Sequence, residues 1–132
     1  MSRENVRIAK RLNAAFNARD IESFAELTTP DFEWTTSMMA VEGEVFLGRQ
    51  GIEKYFETMS ETWEEFRSRA GEYRDLGESV LFIGRLQGRG LGSGASVDTP
   101  LDILFEFRGA QISRQRSFLD HGEALRAAGL SE

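Results

Sequence analysis

Residues 79–119 read SVLFIGRLQGRGLGSGASVDTPLDILFEFRGAQISRQRSFL and carry the clearest strand pattern in the chain. Apolar and polar side chains alternate over much of this stretch, as they do in strands that bury one face. Clusters of glycine and small polar residues interrupt the alternation. We therefore predict four strands, at 70–75, 79–89, 97–107 and 111–119, separated by turns at 76–77, 92–95 and 108–110.

The chain before this sheet has a helical pattern. Ser2 can cap a first helix and Asp20 a second, which is followed by a short strand over 32–35. The third helix has the strongest amphipathic pattern, because its apolar residues recur at helical spacing opposite a row of glutamates. These apolar residues are Ile52, Tyr55, Phe56, Met59, Trp63 and Phe66. A short closing helix over 122–128 ends at Gly129, a residue type common at helix C-termini.

Helices first and an antiparallel sheet afterwards indicate an α+β fold, with the sheet wrapped over the helices as one domain spanning residues 1–132. The glycines of the central strands share one parity, which is typical of a sharply bent hairpin. They are Gly84, Gly88, Gly90, Gly92 and Gly94. Neither GxGxxG nor GxxxxGK[ST] occurs, so no nucleotide-binding motif is present.

Composition excludes several classes of function. The 132 residues contain no cysteine, which rules out disulfides, thiolate metal sites and cysteine nucleophiles. A net charge of -6 repels a phosphate backbone, so we expect no nucleic-acid partner. No stretch approaches the roughly 20 apolar residues of a membrane span, and the N-terminal sequence MSRENVRIAKRLN lacks the apolar core of a signal peptide. We expect a cytoplasmic protein with no membrane partner.

Four segments together resemble the nuclear transport factor 2-like superfamily, and within it the SnoaL-like, polyketide cyclase-like branch related to ketosteroid isomerases. They are FNARDIESFAELTTPDFEW (16–34), FLGRQGIEKYFETM (46–59), GRLQGRGLGSG (84–94) and ISRQRSFLDHGEALRAAGL (112–130). The resemblance implies a cone-shaped, strongly curved sheet with a pocket at its open end. It also implies a homodimer that forms through the outer face of the sheet. It says little about function, because this superfamily holds both enzymes and non-catalytic modules.

The catalytic positions of the resembled enzymes carry unsuitable residues here. Counting from Asp20, the tyrosine of ketosteroid isomerases falls on Leu12, their aspartate base on Thr36, and their second acid near Ile103. The aspartate that SnoaL-type cyclases and limonene epoxide hydrolases place on the last strand falls on Ser117. The Arg and Asp of the hydrolases fall near Gly84 and Leu86. The resemblance therefore implies a chain without the usual catalytic carboxylates, and the sequence leaves open whether it is an enzyme.

Strand parity and the resemblance together predict the lining of a pocket. We expect an apolar lining with a few polar contacts, as is common in small-molecule sites. The predicted ligand-binding residues are Trp34, Thr36, Tyr55, Phe82, Ile103, Phe105, Gln115, Ser117 and Leu119, with Leu86 plausible beside them. The alternative for each is a place in an ordinary core.

The conspicuous charged residues have simpler explanations than catalysis. His121, the only histidine, follows Asp120 in what reads as a helix N-cap, so we predict no metal site. A three-residue turn at 108–110 would set Asp102 opposite Arg116 on the outer face, where charge pairing accounts for both Asp102 and Glu106. Arg85 has the parity of an outer or interface position.

The sequence thus predicts a dimeric SnoaL-like protein that binds a small, mostly apolar molecule. If it is catalytic, we expect isomerase, cyclase or lyase chemistry without a cofactor, in which neutral polar side chains orient the substrate. The alternative is a non-catalytic dimerisation or interaction module, in which the inside of the cone is only a hydrophobic core.

Overall fold

A computed structural model describes residues 2–35 and 45–130. The α+β class predicted from the sequence is confirmed. The helices are α1 (Ser2–Ala18), α2 (Ile21–Glu26), α3 (Gly48–Thr62) and α4 (His121–Ala127); the strands are β1 (Thr28–Thr35), β2 (Val45–Leu47), β3 (Trp63–Asp75), β4 (Ser79–Gly90), β5 (Ser96–Arg108) and β6 (Gln111–Phe118). In the described residues no helix is long and apolar enough to cross a membrane.

The six strands form one curved, open sheet in the order β2-β1-β6-β5-β4-β3. Neighbouring strands are antiparallel except for β1 and β6, which are parallel. Through this parallel pair, β1 from the helix-rich first half of the chain joins the sheet that the second half forms. It sets Trp34 beside Gln115 across the two strands.

The main core lies between the inner face of the sheet and the first three helices. Its centre is an aromatic cluster in which Phe16, Phe24, Trp34, Tyr55 and Phe56 contact one another through their rings. Each favourable ring pair adds roughly 0.5–1.5 kcal/mol beyond the apolar area it buries. This cluster holds α1, α2 and α3 against β1.

The outer face of the sheet is covered in part by α4. Leu81 and Leu104 point outward there and pack against Ala124 and Leu125 of the helix. Asp120 caps this helix, since its side chain accepts a hydrogen bond from the Glu123 backbone N–H at 3.2 Å. The cap predicted at this position is therefore confirmed.

The third helix is shorter than its apolar spacing predicts. It ends at Thr62, and Trp63 and Phe66 belong to β3. A β-bulge between Trp63 and Glu65 inserts one extra residue opposite β4. In a regular strand, residues three positions apart point to opposite faces. The bulge lets Trp63 and Phe66 pack on the same core despite this spacing, so their spacing resembled that of a helix.

Gly84 allows β4 to lie close to its neighbour at a second bulge. A Cβ atom at this position would overlap the carbonyl oxygen of Arg69 and would approach the Phe82 ring to 2.8 Å. The bulge lies directly opposite, between Ala70 and Glu72. A bulge bends its strand and increases the local twist, and the missing side chain gives that bend room.

We expect Gly84→Ala to lower the free energy of unfolding by about 1–3 kcal/mol, because the added methyl group overlaps a backbone atom that cannot move freely. Gly71→Ala at the same bulge is the matched control, since its Cβ meets only the Ile83 carbonyl oxygen at 3.2 Å. Urea denaturation of both variants measures the difference. Equal midpoints for Gly84→Ala and the wild type would contradict the close approach.

Candidate functional site

A cavity lies inside the curve of the sheet, enclosed by α1, α2 and α3. Its empty volume is about 380 Å³, including the space at its mouth. About 20 Å³ of this can hold the centre of a water molecule, which is room for about one water. The lining consists of Leu12, Asn13, Phe16, Phe24, Trp34, Tyr55, Ser68, Leu86, Leu101, Ile103, Phe105, Gln115 and Ser117.

Most of the residues predicted to bind a ligand come together in this cavity. Trp34, Tyr55, Ile103, Phe105, Gln115 and Ser117 all line it, and so does Leu86. The register of β5 and β6 places four of these residues in two facing pairs. Gln115 lies opposite Phe105, and Ser117 lies opposite Ile103.

Two of the predicted residues lie elsewhere in the described structure. Phe82 is fully buried but does not line the cavity, and its ring packs edge-on against Tyr73 at 5.5 Å. Leu119 is 45% exposed. It follows the last residue of β6, Phe118, so the strand alternation that would have turned its side chain inward no longer applies. Thr36 is outside the described residues.

Several residues that line the cavity were not predicted from the sequence, and the reason differs from one residue to the next. Leu101 shares the parity of Ile103 and Phe105, so the alternation alone could have found it. Ser68 could not have been found, because it faces the cavity only as part of a strand that reads as a helix. Asn13, Phe16 and Phe24 depend on how α1 and α2 pack, which a single sequence does not show.

One wall of the cavity is a stack of three aromatic rings. The Trp34 indole lies between Tyr55 and Phe24, with ring centroids 3.7 Å and 4.8 Å apart and planes within 17° and 19° of parallel. These side chains come from β1, α3 and α2. The stack is therefore an apolar part of the wall to which three separate elements contribute.

Two of the residues that line the cavity each carry a buried polar atom that has no hydrogen-bond partner among the described residues. They are the indole nitrogen Nε1 of Trp34 and the amide oxygen Oε1 of Gln115. Trp34 is 1% exposed and Gln115 is 5% exposed. Leaving a buried donor or acceptor unpaired costs roughly 1–3 kcal/mol, so the pair marks a place where stability is not optimal.

Ser68, another polar residue of the wall, is hydrogen-bonded to two side chains of α1. The Asn17 side chain donates to the Ser68 carbonyl oxygen at 2.9 Å and accepts from the Ser68 backbone N–H at 2.9 Å. The Ser68 hydroxyl and the Asn13 side chain are hydrogen-bonded to each other as well. Since β3 is an edge strand, Asn17 takes the place of the neighbouring strand that Ser68 lacks.

The acidic residues of β5 face away from the cavity. Glu106 binds Arg114 at 2.8 Å and Arg116 at 2.9 Å on the outer face. Partial burial alone would raise the pKa of Glu106, but hydrogen bonds and charge from the two arginines outweigh it and hold the pKa below its ordinary value. Glu106 is therefore an ionised structural group at neutral pH, as the predicted charge pairing implies.

The predicted partner of Asp102 is wrong. Asp102 lies opposite Phe118, and its carboxylate is hydrogen-bonded to Nδ1 of His121 in α4. The turn between β5 and β6 contains two residues instead of three, and a bulge between Glu106 and Phe107 shifts the register further. Asp102 thus pairs with the helix that covers the outer face, away from the cavity.

The remaining charged candidates form no site in the described part of the chain. Arg85 is exposed and pairs with Asp98 at 2.6 Å, in keeping with its outward parity. Across residues 2–35 and 45–130, no three His, Asp or Glu side chains come together in a way that could hold a metal ion. Asp120 and His121 act as the cap and first residue of α4.

Comparison with protein-family models identifies the relatives of this architecture. The model of the SnoaL-like domain matches residues 9–115. The chain belongs to the SnoaL-like family. No curated protein matches its sequence.

Solved structures share the fold of this SnoaL-like chain. An NTF2-like protein of unknown function from Burkholderia pseudomallei is 18% identical, with a TM-score of 0.80 over 93% of this chain and 95% of that one. TerC, co-crystallised with polyporic acid, is 19% identical, with a TM-score of 0.79 over 96% and 98%. A protein with a ketosteroid isomerase-like fold from Catenulispora acidiphila, in complex with trimethylamine, is 18% identical, with a TM-score of 0.76 over 93% and 92%.

Four of the positions counted from the resembled enzymes do line the cavity. They hold Leu12, Leu86, Ile103 and Ser117. None of these side chains is a carboxylate, and none of the described lining residues is Asp, Glu, His, Lys or Arg. The cavity of this SnoaL-like protein therefore offers neutral hydrogen-bonding groups on an apolar background.

Two polar-to-apolar substitutions should differ in their effect on stability: one at Gln115 in the wall, and one at Asn17, which bonds the wall residue Ser68. We expect Asn17→Leu to lower the free energy of unfolding by about 1–3 kcal/mol, because it leaves the Ser68 backbone N–H without its partner and the Ser68 carbonyl with only the longer bond from Asn13 at 3.3 Å. Gln115→Leu should leave this free energy within about 0.5 kcal/mol or raise it, since Oε1 has no partner to lose. Urea denaturation measures both. A loss at Gln115 as large as that at Asn17 would show that Oε1 is bonded.

Proposed function

We propose that this SnoaL-like protein binds a small, mostly apolar and uncharged molecule in the cavity. The observation that carries the proposal is the composition of the wall: aromatic and aliphatic side chains, with a few neutral polar groups held at fixed positions. An ionised ligand would find no opposite charge among the described lining residues. It would lose its hydration without compensation.

The ligand has to enlarge the cavity as it enters. Only about 20 Å³ is open to the centre of a water molecule, far less than an organic ligand needs. The surrounding aromatic side chains come from separate elements, so small shifts of α2 and α3 against β1 would widen the space beside Trp34. Binding therefore exchanges contacts within the wall for contacts with the ligand. This exchange favours flat apolar molecules, which restore the ring contacts they displace.

Any reaction in this cavity would proceed by cofactor-free isomerase, cyclase or lyase chemistry. Neutral groups at Trp34, Tyr55 and Gln115 can orient a substrate and polarise its oxygen atoms. A proton transfer would need a base from outside the described lining. Binding is thus the part of the function that the geometry supports best.

A thermal-shift screen of the purified protein tests the binding proposal. The panel comprises steroids, terpene epoxides, aromatic polyketides and fatty acids; the aromatic members are favoured by the stacked wall. A ligand at about 100 times its dissociation constant should add roughly 2.7 kcal/mol and raise the midpoint by several degrees. A saturable shift with one chemical class is the expected result.

Filling the cavity should abolish that shift. Ser117→Phe places a ring in the space opposite Ile103, and Ser117→Leu fills it more mildly in case the larger ring disturbs folding. Ser96→Phe is the matched control, because Ser96 is exposed at the start of β5. Circular dichroism checks that each variant is folded. A ligand shift that survives in folded Ser117 variants would contradict the cavity as the binding site, and a flat panel would favour the interaction-module alternative.

We also propose that the chain forms a cytoplasmic homodimer through the outer face of the sheet. The half-buried charges of Glu106, Arg114 and Arg116 on that face offer paired polar contacts to a second copy, beside the area that α4 covers. Size-exclusion chromatography with light scattering should give the mass of two 14.9 kDa chains at micromolar concentration. A mass of one chain across a concentration series would contradict the dimer.

A further inference from the structure

We propose that the ligand of this cavity carries a hydroxyl group on a flat apolar ring, and that this hydroxyl bridges Nε1 of Trp34 and Oε1 of Gln115. The inference rests on the proposed binding function and specifies the chemistry of the ligand. It follows from what the two unpartnered atoms require and from where the strands place them.

The two atoms are unusual for a folded interior. Most buried polar side-chain atoms have at least one hydrogen-bond partner. Nε1 of Trp34 and Oε1 of Gln115 have none among the described residues, although both side chains are more than nine-tenths buried. Both residues line the same cavity. Two such atoms on residues of one cavity favour a bound molecule as their partner.

The strand register brings the two residues side by side. Trp34 on β1 and Gln115 on β6 are direct partners in the parallel pair. Neighbouring strands lie about 4.8 Å apart, and partners in register point to the same face of the sheet. One atom of a ligand can therefore approach both side chains at once.

The needs of the two atoms are complementary. The indole N–H can only donate a hydrogen bond, and the amide oxygen can only accept one. A ligand carbonyl would satisfy the indole alone, and an ether would do the same. A carboxylate would bring a charge that the described lining does not balance. A hydroxyl accepts from Trp34 and donates to Gln115, so it satisfies both atoms.

The neighbouring wall selects the body of the ligand. Trp34 is the middle ring of the stack with Phe24 and Tyr55, and Phe105 lies opposite Gln115 on β5. The hydroxyl site is therefore surrounded by aromatic surface. A planar ring that bears the hydroxyl can keep contact with these side chains, whereas a charged or branched polar body would leave its own groups unpaired.

Three probes of one shape test this inference on the intact protein: 2-naphthol, 2-methoxynaphthalene and naphthalene. Titration calorimetry measures their dissociation constants. We expect 2-naphthol to bind about tenfold more tightly than 2-methoxynaphthalene, since only its hydroxyl can donate to Gln115 while it accepts from Trp34, and we expect naphthalene, which can do neither, to bind more weakly than the ether. 2-Methoxynaphthalene keeps the oxygen that accepts from Trp34 but has no hydrogen to donate. The difference between its affinity and that of 2-naphthol therefore isolates the contribution of the hydrogen bond to Oε1.

Gln115→Leu should bring 2-naphthol to the affinity of 2-methoxynaphthalene while naphthalene binds at least as well as before. Gln87→Leu is the matched control. Gln87 lies on the exposed part of β4, where its side chain is hydrogen-bonded to Asp98, so this substitution should leave the preference for 2-naphthol unchanged. Trp34→Phe, which keeps a ring and removes the N–H, should reduce the binding of both oxygen-bearing probes relative to naphthalene.

The outcomes separate this inference from the proposal beneath it. Equal affinities of the three probes for the wild type would overturn the hydroxyl bridge while leaving the apolar cavity intact. A preference for 2-naphthol that persists in Gln115→Leu would overturn it as well. Failure of all three probes to bind would count against the binding function itself.

Discussion

The parallel pairing of β1 with β6 is the contact on which the fold and the site both depend. It joins residues near position 30 to residues near position 115, so it closes a long loop at an entropic cost that grows slowly with loop length. The aromatic cluster beneath β1 offsets this cost, because Trp34 packs with rings from α1, α2 and α3 at once. The same pairing places Trp34 next to Gln115. A single structural event thus closes the sheet over the helices and assembles the polar part of the cavity.

The two kinds of polar group in the cavity wall play different physical roles. The bonds between Asn17 and Ser68 satisfy the backbone of an edge strand and hold α1 on β3. Trp34 and Gln115 each carry a buried atom that has no partner among the described residues. Such atoms cost stability, and costs of this kind are common where proteins bind other molecules.

Much of the fold could be predicted from the sequence, because the alternation of β5 and β6 is regular and the capping residues Asp20 and Asp120 are typical of helix starts. The inward direction of Ile103, Phe105, Gln115 and Ser117 followed from this alternation together with the resemblance to the SnoaL-like branch. Bulges contribute to the errors. One bulge made Trp63 and Phe66 look helical, and another, with a turn one residue shorter than predicted, moved Asp102 away from Arg116. A bulge reverses the alternation of inward and outward side chains at one residue and leaves no mark in the composition. The part of the site that depends on β3, including Ser68, could therefore not be predicted.

The separation of charge between the two faces of β5 limits the chemistry that the cavity can perform. Asp102 and Glu106 alternate with Ile103 and Phe105, so the period of the strand sends each carboxylate outward and each apolar side chain inward. Outside, the carboxylates are paired with His121 and with two arginines, and they stabilise α4 and the hairpin. A carboxylate turned inward would have to be desolvated beside Phe105 without a partner, which raises its pKa and favours its neutral form. The apolar wall of the cavity is therefore the same feature that keeps ionised groups on the outer face. Inside, the cavity combines neutral hydrogen-bonding groups with an aromatic enclosure.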